Sequence, residues 1–197
     1  MTTFSLRIIT RGALAGVALS LLLDHCGQAA AAPPAGIPPE LVADYIHAVI
    51  EADRAVYADR VVQRLQNKEG VIKASEHFEA DKALPLPAQM LRMGSQLVSE
   101  KGVGFRYALI SPWAINKANL PKTEFEKQGV ASVVADRTKP FRTIQEVAGK
   151  RYFMAVYADI AVSPACAACH NDHSESPRKD FKTGDVMGGV VITLPLP

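Results

Sequence analysis

The chain has 197 residues, 48% of them hydrophobic and 21% charged, with a formal charge of +2. This balance describes an ordinary globular protein of one domain and excludes a disordered or wholly membrane-embedded chain. The charge is small and evenly spread, and falls to +1 if the first 31 residues leave with Arg7, Arg11 and Asp24, so no nucleic-acid footprint is present.

In chain order, Arg7 and Arg11 precede an uncharged apolar run from Gly12 to Leu23, and Ala29 to Ala32 stand just before Pro33 and Pro34. A basic start, a short apolar centre and an Ala-x-Ala site make a secretory signal peptide, with cleavage expected after Ala31. The run is shorter than the roughly 20 apolar residues of a permanent anchor. Cys26 comes after it, but Leu23-Asp24-His25 is too polar and bulky for a lipidation site. The expected layout is a cleaved signal peptide over 1–31 and one domain over 32–197. The mature chain is then periplasmic, with no transmembrane anchor.

After a Pro-rich lead-in, Leu41, Val42, Tyr45, Ile46, Val49, Val56, Val61, Val62 and Leu65 recur at steps of three and four. They predict a helix from Pro39 to about Gln66, on the order of 40 Å long. Gly70 ends it, and a shorter helix is expected over roughly Val71 to Asp81. Leu84-Pro85-Leu86-Pro87 is a rigid connector into a helix from Ala88 to Lys101, with Gly102 as its cap. From Phe105 to Ile110 the period becomes that of a strand. Ser111 to Gln128 reads as loop. Phe141–Val147 and Tyr152–Val162 read as a hairpin turning at Ala148-Gly149-Lys150, and a last strand comes after Gly184-Asp185 over Val186 to Leu194. Helices first and antiparallel strands second predict an α+β domain with helices on one face of a sheet.

Cys166-Ala167-Ala168-Cys169-His170 is the C-x-x-C-H pattern of covalent haem attachment. Two thiols at this spacing reach the two vinyl groups of one porphyrin, and the adjoining imidazole falls beneath the ring to bind iron. The expectation is one covalent haem c, held by Cys166 and Cys169 and ligated by His170. Three other readings compete. The cysteines could be a redox pair, although such motifs sit at the start of a helix early in the chain. Cys166, Cys169, His170 and His173 could bind zinc, although four ligands so close in sequence converge poorly on a tetrahedron. The pair could also be a structural disulfide.

The second axial position of the iron is less determined. His47 lies with Ala43, Glu51 and Arg54, and His77 with Lys73 and Asp81, so both are placed on polar helix faces; His173 is too near His170 to cross the ring. Met90, Met93, Gly94 and Leu97 share a helix face. A macrocycle could approach at Gly94, with Met90 as the candidate sulfur ligand of the metal, although core packing is the commoner use of methionine. Arg106, Arg137 and Arg151 are available to the haem carboxylates.

The stretch from His77 to Pro195 resembles a family of periplasmic haem-c domains with a PAS-like fold, which occur alone or as input modules of bacterial histidine kinases and cyclases. The residues that carry the resemblance are the Leu84-Pro85-Leu86-Pro87 connector and the Asn116–Glu124 loop with Asn119. The strand leading into Cys166-x-x-Cys169-His170 and the Gly184-Asp185-Val186-Met187-Gly188 turn complete it. The resemblance implies a five-stranded antiparallel sheet flanked by helices, with the haem packed against it. A family member uses a cysteine opposite the histidine near the start of the helix after the connector. No cysteine stands near Pro87 here, so that ligand does not carry over.

The leading expectation is a non-enzymatic monohaem cytochrome in electron transfer or redox sensing, working with a periplasmic redox partner or a membrane sensor protein. A diatomic-gas sensor and a four-helix-bundle cytochrome of the c-prime kind are the alternatives. The second conflicts with the strand patterns near the C-terminus.

Overall fold

The structure, a computed structural model, describes residues 36–197; the expected signal peptide, its cleavage point and Cys26 lie outside the described residues. Pro39 takes the first position of α1 (Pro39–Val56), where a missing N–H costs nothing. The helix continues as a π-wound segment (Tyr57–Lys68), and Gly70 stands just beyond it at φ 65°. The expected long helix is present, with its final part wound more loosely than an α-helix. Val42, Ala43 and Ile46 pack into the core, whereas Leu41, Tyr45, Val49 and Val56 point outward. Among the described residues no helix is long and apolar enough to cross a membrane.

The helix expected over Val71–Asp81 is absent. Ala74–Ser75 (β1) pairs in parallel with Leu84–Pro85 (β2), and turns fill the interval. The Ser75 hydroxyl bonds the Asp81 carboxylate and accepts the His77 N–H at 3.1 Å, while the Ala74 N–H donates to Gln66 Oε1 at 2.6 Å. Side-chain capture of this kind competes with helical hydrogen bonding.

The next helix, α2 (Pro87–Glu100), starts and ends one residue earlier than the expected Ala88–Lys101, with Gln89 Oε1 accepting the Leu86 N–H at 2.9 Å. It leads into β3 (Arg106–Ile110). The region read as loop through Gln128 instead gives way to α3 (Glu124–Ala135). A reciprocal cap opens α3: Glu126 N–H donates to Thr123 Oγ1 at 3.1 Å, and Thr123 N–H to Glu126 Oε2 at 3.0 Å. The hairpin β4 (Phe141–Val147) and β5 (Lys150–Ile160), then α4 (Pro164–Asp172) and β6 (Val186–Pro195), complete the chain.

These elements make the expected α+β protein. The main sheet has four strands in the order β3-β6-β5-β4, all antiparallel, rather than five, because β1 and β2 pair only with each other. The helices cover both faces, not one. Phe153, Ala155, Tyr157, Val190, Ile192 and Leu194 pack with Ala43, Val42 and Ile46 on the α1 side. Val156 and Val191 pack with Phe125, Val130 and Val133 on the α3 side. The alternation of β5 serves two cores at once.

Gly129 lets α3 approach the sheet. A Cβ there would stand 2.5 Å from Val156 Cγ2 and 3.2 Å from Phe141 Cδ1. Alanine in place of glycine favours a helix by about 1 kcal/mol, but overpacking a rigid core costs roughly 1–3 kcal/mol. Gly129→Ala is therefore expected to lower the urea midpoint, and an unchanged or raised midpoint would show that the layers separate freely.

His47 is not solvated as read. It stacks on Tyr157 with ring centroids 4.1 Å apart, and the Tyr157 hydroxyl donates to Asp44 Oδ1 at 2.7 Å. Burial pushes the imidazole below its ordinary range, against the opposing pull of Glu51 and Asp44. The fold thus favours neutral His47, and the unfolded chain binds more protons as pH drops below about 6.5. Stability held at higher pH is lost as pH falls through the folded pKa. His47→Phe keeps the stack and removes the proton, so the difference in urea midpoint between pH 7.5 and pH 5 should shrink; an equal difference in both proteins would assign it elsewhere.

Candidate functional site

The site is built where β5 runs out. The register slips between Asp159, paired with Gly188, and Ile160, paired with Val186, so Met187 bulges. Ala161 extends the pairing, its N–H donating to Asp185 O and its carbonyl accepting the Gly184 N–H, both at 2.9 Å. Ser163, fully buried, then caps α4 by accepting the Ala165 N–H at 3.3 Å, and Pro164 opens the helix. The chain therefore leaves the sheet and enters α4 in a fixed direction.

Cys166, Cys169, His170 and His173 succeed one another at steps of three, one and three, the spacing of a single helix face. All four line a cavity of ≈ 240 Å³. The first helix contributes Arg54, Val62 and Gln66 to its walls, and α2 with its connector contributes Leu86, Pro87, Ala88, Gln89 and Arg92. Leu109 to Ser111, Ala114 to Asn116 and Asn119 form another side, with Asp159 and Met187 from the sheet. The surface of the lining is mainly apolar, although Arg54, Gln66, Glu76, Arg92, Asn119 and Asp159 are among its residues.

No disulfide joins Cys166 to Cys169. Cys169 is exposed, yet the desolvation it does undergo pushes its thiol up, so it stays protonated at neutral pH. Burial also pushes His170 down, aided by the Arg54 guanidinium and by His173, so its imidazole is neutral and its lone pair is available. The Nδ1 atom of His170 is buried and has no hydrogen-bond partner. The ring stands edge-on to Phe181 at 5.7 Å, and Phe181 meets Trp113 edge-on at 5.6 Å. Arg178 lies over both aromatic rings, 4.3 Å and 4.8 Å from their centroids. Asn171 ties α4 to this cluster from both ends of its amide: Nδ2 donates to Phe181 O at 2.9 Å and Oδ1 accepts the Phe181 N–H at 3.0 Å.

The structure thus brings Cys166, Cys169 and His170 together on one cavity wall, as the motif implied. Met90 is not with them. The α2 positions that reach the cavity are Pro87, Ala88, Gln89 and Arg92, and Met90, which is half-buried, is not among them. Nor does Gly94 offer a landing place for a flat ring, because a Cβ there would already stand 2.7 Å from the Tyr107 hydroxyl. Arg106 and Arg151 are exposed on the sheet and Arg137 donates to Gly184 O at 2.7 Å, whereas the cations at the cavity are Arg54 and Arg92. His77 is exposed, as read. Asn116 and Asn119 line the cavity, but Glu124 pairs with Lys127 at 2.8 Å on the surface. Among the described residues no three His, Cys, Asp or Glu side chains gather as a metal-binding group.

A mixed sheet-and-helix domain with a cysteine–histidine helix face lining an apolar cavity is the class of protein that these features define. The chain belongs to the Tll0287-like family, whose model matches residues 40–195. Among solved structures it is similar in fold to the cyanobacterial haem protein Tll0287, at 14% identity and a TM-score of 0.52, over 81% of this chain and 98% of that one. A search of the curated proteins found no match. The kinship read from the residues is therefore met, and the shared fold reaches from α1 to the last strand.

Asn171→Ala removes both hydrogen bonds to Phe181 and leaves partly buried backbone groups unpaired. The expected cost is roughly 1–3 kcal/mol in urea unfolding, with Asn171→Asp, which keeps the acceptor, losing less. Equal stability of all three proteins would show that the clasp contributes nothing.

Proposed function

We propose that this chain is an exported cytochrome carrying one covalent haem c, which passes single electrons to or from a separate periplasmic or membrane-bound protein. One observation carries the reading: two cysteine sulfurs, not joined to each other, and an imidazole whose Nδ1 is unpartnered share the helix face that lines a mainly apolar cavity. A relative of the same fold is a haem protein. The signal-peptide pattern of residues 1–31 supports export to the compartment where such groups are attached.

A haem bound there supplies a metal centre that gains and loses one electron. Cys166 and Cys169 would hold it as thioethers. Such links would come from adding each S–H across a vinyl double bond, which needs no oxidant. His170 offers a neutral imidazole to the iron. Val62, Leu86, Ile110, Ala114 and Met187 keep water from the ring. Arg92 stands exposed among the lining residues, with no ion-pair or hydrogen-bond partner among the described residues, and suits a haem carboxylate. Met90 has no part in this assignment, and no catalytic turnover is assigned to the chain.

A second reading has its own support. Apart from α4, the cavity walls offer the side-chain amides of Asn116 and Asn119, which bind iron weakly but hydrogen-bond well, whereas the Gln89 amide and the Ser111 hydroxyl are already bonded within the protein. Such a lining suits a diatomic gas at an open axial position, and the chain would then signal to a partner.

Produced in a host that matures c-type cytochromes, the protein is expected to keep a haem stain after denaturing electrophoresis. Cys166→Ser and Cys169→Ser should each weaken the stain, and the double variant should abolish it. A colourless wild-type band ends the proposal. Slow or absent carbon monoxide binding by the reduced protein supports electron transfer, and rapid binding supports the gas-sensing reading.

A further inference from the structure

An ion pair is buried behind the cysteine–histidine face, and the haem reading does not by itself require it. Arg54 reaches from the last turn of α1 to Asp159 of β5, beside the bulge at Met187 of β6, and the two side chains are 12% and 6% exposed. Both residues line the main cavity and also a small void of ≈ 20 Å³ on its other side, where His47 and Glu51 stand. The pair is incompletely satisfied, since Arg54 Nε is buried without a hydrogen-bond partner.

Stability is a weak explanation for such a pair. Taking two ions out of water costs several kcal/mol each, and well-packed apolar replacements are often as stable or more so. Its electrical position is more informative. Arg54 and Asp159 share the wall of the cavity with Cys166 and His170, so the guanidinium puts a fixed positive charge beside the place where His170 would hold a metal. The imidazole also lacks the acceptor that usually raises the basicity of a metal-ligating histidine, since its Nδ1 is buried and unpartnered. A fixed nearby cation and a poorly donating ligand both disfavour the more positive, oxidised iron.

We propose that Arg54, oriented by Asp159, is a positioning residue that raises the reduction potential of the iron held by His170. The inference rests on the haem reading and adds the direction in which the protein tunes the metal. Arginine suits the role, because its charge persists at any physiological pH.

The test is a potentiometric titration of the full haem-loaded protein as wild type, Arg54→Lys, Arg54→Gln and the double variant Arg54→Leu with Asp159→Leu. Arg54→Gln is expected to shift the one-electron equilibrium toward oxidised iron by about tenfold, or about 59 mV. Arg54→Lys should keep most of the wild-type potential. The double variant removes both ends of the pair, is expected to fold, and should fall below wild type by less than Arg54→Gln; it decides the matter if the glutamine variant does not fold. A wild-type potential in the double variant overturns the proposal, as does an equal fall in the lysine and glutamine variants. A haem-stained protein with unmoved potentials refutes only the role of Arg54. A colourless wild type refutes the haem reading and this inference with it.

Discussion

Strand β5 is hydrogen-bonded along both edges, to β4 and to β6, and packed by helices on both faces. A strand held in four directions has no freedom in where it ends, so the core sets the position of the next residues in the chain. Those residues are Ser163, buried and capping, and then α4 with its two thiols and imidazole. The bulge at Met187 and the close approach at Gly188, where a Cβ would stand 2.3 Å from Ile110 O, fit the partner strand around this exit. The cavity is thus a consequence of sheet geometry, with the chemistry carried on a short helix at its end.

Period and punctuation made much of this fold readable. The α1 stripe, the Pro87 start of α2, the β4–β5 hairpin and the last strand all have strong local patterns, and each stands within a few residues of its expected place. The misreadings have physical causes. Around Ser75 the apolar spacing suggested a helix, but side-chain bonds from Ser75 and Gln66 take the backbone elsewhere. The α3 helix was hidden behind a run of loop-forming residues, although Thr123 and Glu126 carry a capping signature. Two-sided cover of the sheet could have been anticipated from β5 itself, since Phe153 to Ala158 is apolar without interruption, as strands buried on both faces are.

The site was legible only where the chemistry is local. Cys166, Cys169 and His170 sit within one turn and a half of helix, so their spacing in sequence is their spacing in space. Arg54, Arg92 and Asp159 reach the cavity from three separate elements, and no short pattern marks them. The one available signal for Arg54 was its place as the single arginine of an α1 that has no lysine. The reading of Met90 failed for a related reason: helical periodicity groups Met90 with Gly94, but which face of α2 turns to the cavity is set by the Tyr107 hydroxyl filling the space beside Gly94.

Charge is distributed around the cavity in a way that matches an apolar ring with an acidic edge. The α4 side of the cavity holds neutral groups, since desolvation keeps the Cys169 thiol protonated and His170 uncharged. Arg92 and Glu76 are at exposed positions of the lining, where water offsets the cost of their charge. Only Arg54 and Asp159 carry full charges deep in the wall, and they do so beside the residue that would bind iron. A protein that needed the cavity merely to enclose an apolar body would gain nothing from charges in that place, because their desolvation opposes folding. A protein that must set the energy of an electron at that point has a use for them, since a fixed dipole in a medium of low dielectric acts far more strongly there than at the surface.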